Sequence, residues 1–148
     1  MFDVKEYYKK VGNKKVIDLE KVLSDIRFDD EKHLSKLFSK TAYVVSKALK
    51  SEKNKKHNIS TTQFRKFYDK VLELNEKSNR IKEEEFNIKI KPHLSLLYSK
   101  VEYTVTRGNA GENFKKIMFK CLDKVDSKPE LENMKMFLEA VIGFMPKK

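Results

Sequence analysis

The chain has 148 residues, the size of one domain, and carries 33 Lys and Arg against 22 Asp and Glu, a formal net charge of +11. Four Gly, three Pro and a single Cys argue against a turn-rich β fold and exclude an internal disulfide. A surplus of cations favours polyanions only where it is gathered on one surface, so its arrangement along the chain decides its meaning.

Val16, Leu19, Val22, Leu23 and Ile26 fall at helical spacing and predict a short first helix, with Gly12-Asn13 as a break before it. Tyr7, Tyr8 and Val11 could extend that pattern upstream, and no convincing strand alternation is visible. Asp29 or Asp30 can cap a second helix, over about 30–49, whose stripe runs Leu34, Leu37, Phe38, Ala42, Val45, Ala48 and Leu49. Residues 50–57 offer nothing apolar to bury, and Lys53, Lys55 and Lys56 mark a flexible basic loop, either merely solvated or able to order on a polyanion.

Ser60 and Gln63 form a capping box for a third helix, with Phe64, Phe67, Tyr68, Val71 and Leu74 inward. A fourth helix, about 84–106, carries Phe86, Ile90, Leu94, Leu97, Val101 and Val105; Pro92 either kinks it or begins it. Gly108 suits its left-handed C-terminal cap. A fifth stripe runs Phe114, Ile117, Met118, Cys121, Leu122 and Val125. Ser127, Pro129 and Glu130 open a sixth helix, with Leu131, Met134, Phe137, Leu138, Val141 and Ile142 inward. The expectation is an all-α, single-domain bundle of five to six helices over 1–148.

Cationic residues collect on the fourth helix. Lys89, His93, Lys100, Tyr103 and Arg107 lie along one flank, about 110° from the apolar centre and roughly 27 Å long at 1.5 Å per residue. Arg65 and Lys66 on the third helix add to the candidate phosphate-binding set, and the forked guanidinium favours Arg65 and Arg107 as phosphate ligands. The competing reading is a solvated flank with no ligand. Tyr103 could stack on a base or simply cover the core edge.

Enzyme chemistry finds little support. His33, His57 and His93 are scattered, one cysteine cannot make a Cys-based zinc site, and no Gly-rich phosphate loop is present. Glu83-Glu84-Glu85 is the charge cluster expected at a helix start. No catalytic residue, metal or cofactor is expected. No apolar run approaches the ~20 residues of a membrane span, and Met1-Phe2-Asp3-Val4-Lys5-Glu6 lacks a signal-peptide layout. A cytoplasmic protein without a membrane partner is the expectation.

The segment Ile59-Ser60-Thr61-Thr62-Gln63-Phe64-Arg65-Lys66-Phe67-Tyr68 resembles the opening of the central helix in the small subunit of type III-A CRISPR (Csm) effector complexes. Lys91-Pro92-His93-Leu94, running on to Tyr103-Thr104-Val105-Thr106-Arg107, resembles that family's Lys-Pro-x-Leu helix ending in Arg. Phe137-Leu138-Glu139-Ala140-Val141-Ile142 resembles its closing helix. The likeness covers about 58–145, and the first 57 residues have no counterpart. Val105-Thr106-Arg107 departs from the family's Ala-Gly-Arg, and Gly143-Phe144-Met145-Pro146 from its basic tail. The resemblance implies a non-catalytic, helical subunit that lies along the guide RNA–target RNA duplex. It further implies contacts with further copies of itself and with the backbone and large subunits, and it adds Lys91 to the RNA-binding candidates. A helical DNA-binding module and a protein-interaction adaptor are the alternatives. The first needs a short helix-turn-helix; RNA crosslinking separates the second.

Overall fold

The structure is a computed structural model that describes residues 2–147. It is mainly helical, as expected, with one small addition at the start. A two-stranded antiparallel hairpin, β1 (Tyr8–Val11) and β2 (Lys14–Ile17), precedes the first helix. Gly12 turns it with φ +63, the left-handed value that glycine adopts without strain at the first position of a two-residue hairpin loop. Of the residues upstream of the expected helix, Tyr8 and Val11 therefore lie in a strand, while Tyr7 ends a 3₁₀ turn (Lys5–Tyr7). Four-residue strands that each hold two adjacent lysines leave no alternation to detect.

Asp18 caps α1 (Leu19–Ser24), its carboxylate accepting from Lys21 N at 3.4 Å. The second predicted helix begins with a 3₁₀ turn (Glu31–His33), capped by Asp30, and continues as α2 (Leu34–Lys36). A π-helical stretch (Leu37–Thr41) then leads into α3 (Ala42–Ala48). Next come α4 (Thr61–Ser78), α5 (Phe86–Lys89), α6 (Lys91–Thr106), α7 (Glu112–Asp123) and α8 (Lys128–Phe144). The helix is interrupted at Ile90 (φ −113), between α5 and α6, and Pro92 stands in the first turn of α6, where its missing N–H costs nothing. Residues 79–90 thus hold a 3₁₀ turn and α5, not the tight turn of a helix-turn-helix.

Both predicted capping serines accept from the helix amide three residues on, without the reciprocal bond of a full capping box. Ser60 Oγ accepts from Gln63 N, and Ser127 Oγ from Glu130 N. Gly108 (φ +79) closes α6 with paired bonds, Gly108 N to Val105 O and Asn109 N to Thr104 O.

α8 is the central rod, packed on α3 and α4, while α6 packs on α7. Phe67 meets Phe114 at 5.2 Å and Phe28 meets Phe137 at 6.0 Å, joining the layers through aromatic edges. Phe64, Ile90, Leu97, Val101, Cys121 and Val141 are buried, as their stripes predict. The N-terminal segment is locked to this core by one polar cluster. Buried Tyr7 places its hydroxyl 2.7 Å from both Asp25 Oδ2 and Thr41 Oγ1, and Lys36 bridges Glu6 (2.7 Å) and Asp25 (3.3 Å).

The basic segment 50–57 is solvated at Lys53, Lys55 and Lys56 but is held at its base. Asn58 donates to Lys50 O and accepts from Glu52 N, each at 2.9 Å. Glu52 itself turns inward and accepts from Asn113 N and Phe114 N, both at 3.0 Å, at the start of α7. Gly111, at the head of that helix, has ordinary extended backbone, but an added methyl would overlap the Glu52 carboxylate. Its role is room, not φ.

Candidate nucleic-acid interface

Two of the helices that carry candidate cations meet along an open groove. Its α4 wall consists of Gln63, Lys66, Phe67 and Lys70; its α6 wall includes Leu97, Lys100, Tyr103 and Thr104. Steps of three and four residues bring each set to one flank of its helix. The groove volume is about 640 Å³. Phe67 and Leu97 are core residues whose edges reach the floor, so the groove is apolar below and cationic along its rims.

Arg107 follows one turn after Tyr103, with its guanidinium carbon 5.0 Å from the centre of the Tyr103 ring. Tyr103 is 60% exposed, so its ring covers little of the core edge and remains accessible to a ligand. The acid on α6 is turned away: Glu102 pairs with Lys115 of α7 at 2.8 Å. Among the described residues, no ion pair involves Lys66, Lys100 or Arg107. Lys70 has one partner, Glu73 at 3.7 Å, with both side chains largely in water, where such a pair is weak.

The remaining candidates lie elsewhere. Arg65 is exposed and adjoins Lys66 in sequence, yet it points about 150° around α4 from the groove-facing set. It stands on the side of Tyr68, whose hydroxyl donates to Glu139 of α8 at 2.9 Å. Lys89 belongs to α5, beyond the break at Ile90, and is bonded to Glu85 at 2.7 Å. Lys91 reaches across to α7's far end, donating to Val125 O and pairing with Asp126 at 2.8 Å. The flank expected to run from Lys89 therefore starts at His93 and spans about 21 Å to Arg107. Gln63 and Lys70 join the groove without having been candidates. Their spacing with Lys66 and Phe67 is visible in the sequence, but nothing there shows that α4 and α6 are neighbours.

Among the described residues, no group of three or more His, Cys, Asp or Glu could hold a metal ion. Cys121 is fully buried, and burial pushes its thiol pKa well up, away from the reactive thiolate. Among the described residues, no helix is long and apolar enough to cross a membrane.

In comparison with known proteins, the family model described as "Csm2 Type III-A" matches residues 32–145, more than half of the chain. That span includes both groove helices and excludes the hairpin and α1. No curated protein and no solved structure matches.

Proposed function

Because the chain belongs to the Csm2 family of type III-A CRISPR effector small subunits, we propose that it binds the guide RNA–target RNA duplex in the groove between α4 and α6, without catalysing a reaction. The observation that carries this reading is a set of cations without ion pairs among the described residues, Lys66 on the α4 rim and Lys100 and Arg107 along α6, beside an exposed tyrosine. An A-form duplex hides its base edges in a deep, narrow groove and offers phosphates and 2′-hydroxyls instead. Lysine heads with mobile stems and a forked guanidinium match that target irrespective of base sequence. Tyr103 and Gln63 supply a hydroxyl and an amide for ribose oxygens. In this reading the protein works among other subunits of the complex and beside further copies of itself, in the cytoplasm, and leaves target cleavage to the backbone subunits.

The test is the salt dependence of duplex binding. Replacing Lys66, Lys100 and Arg107 together with Ala should lower the slope of log K against log salt by about two to three, near one for each phosphate no longer neutralised. Arg65→Ala, facing away from the groove, should leave the slope within error. Unchanged binding by the triple variant, or an equal loss in Arg65→Ala, removes the groove from consideration. Competition with DNA of equal length separates this reading from a DNA-binding module.

A further inference from the structure

A second cationic hollow lies where the hairpin meets α3, built partly from residues 8–19, outside the family match. It is an open cleft of about 640 Å³ with Lys15 on the hairpin, Lys47 in the last turn of α3 and Lys50 just beyond it, and among the described residues no carboxylate lines it. Tyr8 and Tyr43 give it aromatic walls. An adjoining hollow shares Tyr8, Lys15 and Tyr43 and brings one acid, Asp3, whose Oδ1 accepts from Lys5 N. Positive charge still prevails.

Two further observations point to an anion. The hairpin register sets Lys10 directly opposite Lys15, on the same face as Tyr8 and Ile17, and like charges so placed repel. A two-stranded hairpin has little stability with which to absorb that repulsion, and an anion bound at Lys15 from the cleft side would relieve it. Lys50 is the second sign. Its ammonium is partly buried and donates to Ile59 O, and burial without a carboxylate lowers its pKa. Among the described residues, Lys10, Lys15, Lys47 and Lys50 take part in no ion pair.

The uncharged lining favours an aromatic ligand carrying that anion. Asn113 Nδ2 is fixed by Ala48 O (2.9 Å) and Ser51 O (3.3 Å), which leaves its Oδ1 to accept from an amino group. Ile17 and Leu19 add apolar surface beside the tyrosines. We propose that this cleft binds a nucleotide, with the phosphate held by Lys15 and Lys47 and the base set against Tyr8 and Tyr43. The ligand is a free mononucleotide or the unpaired end of an RNA strand, and the site does not depend on the α4–α6 groove.

The test uses the full chain carrying Lys66, Lys100 and Arg107 as Ala, so that a failure of the groove reading cannot be mistaken for a failure here. AMP and a 5′-phosphorylated, single-stranded RNA decamer are titrated by calorimetry, with the 5′-hydroxyl decamer as control. Lys15→Gln and Lys47→Gln alter exposed side chains and should keep the thermal melt of the parent. Together they should weaken nucleotide binding at least tenfold. Binding of AMP with that sensitivity identifies a free nucleotide; binding of the phosphorylated decamer alone identifies a strand end. If neither ligand binds, or if both bind equally well to the Lys15→Gln/Lys47→Gln variant, the proposal is overturned.

Discussion

The contact between Glu52 and the head of α7 makes a sharp stability prediction. The carboxylate accepts from two amides of the helix's first turn, which have no partner within the helix, and Glu52 is only 7% exposed. Hydrogen bonds to a charged group contribute about 1.5–3 kcal/mol each, and a missing cap by itself costs about 0.5–2 kcal/mol. Glu52→Ala should therefore destabilise the fold by about 3 kcal/mol, and Glu52→Gln, which keeps one acceptor, by about 1–2 kcal/mol. Gly111→Ala should cost about 2–3 kcal/mol, because its methyl occupies the space of the carboxylate. The two effects share one cause, so they should not add. In a Glu52→Ala background, Gly111→Ala should cost less than about 0.5 kcal/mol, a coupling of roughly 2 kcal/mol. Urea unfolding of the four proteins measures this directly, and the larger single effects correspond to about 6–12 °C in melting temperature for a domain of this size. Simple additivity in the double variant would refute the assignment of Gly111 to making room for Glu52.

Three further outcomes follow from buried groups. Burial alone would raise the Asp25 carboxyl, but the Tyr7 hydroxyl and the charges of Lys36 and Lys21 outweigh it and hold its pKa below the ordinary 3.8. A depressed carboxylate stabilises the fold above its unfolded pKa and loses that contribution as pH falls through the folded value. Thermal melts should thus fall steeply below about pH 4, and Asp25→Asn should flatten the decline while lowering stability at pH 7. Ser78 Oγ is fully buried with no hydrogen-bond partner among the described residues, so Ser78→Ala should raise stability by about 1 kcal/mol in the same urea titration. Cys121 should react with a thiol reagent only as the protein unfolds, its rate following urea concentration; prompt labelling of the native protein would contradict its burial.

Much of the helical frame could be read from local chemistry. Ser60, Ser127 and Gly108 act where their residue types said they would, and the inward stripes of α4, α6, α7 and α8 are the buried ones. The hairpin could not be read, because its lysines erase the alternation that marks a strand. The candidate groove was half legible. Lys100, Tyr103 and Arg107 follow from spacing along one helix, whereas the groove requires α4 beside α6, which only tertiary packing decides. The Glu85–Lys89 pair, four residues apart, could have been anticipated. The Lys91–Asp126 pair, thirty-five residues apart, could not.

The family match begins at residue 32, yet the side chain of Tyr7 ends on Thr41, and Lys36 reaches back to Glu6 and Asp25. Sequence kinship and cooperative folding therefore draw different borders on this molecule. A chain trimmed to the matched stretch would open the interior beside α3 where Tyr7, Val22, Ile26 and Phe28 now sit, and would strand a cation whose counter-charges had gone. Residues 2–31 are a wall of this building and not its porch.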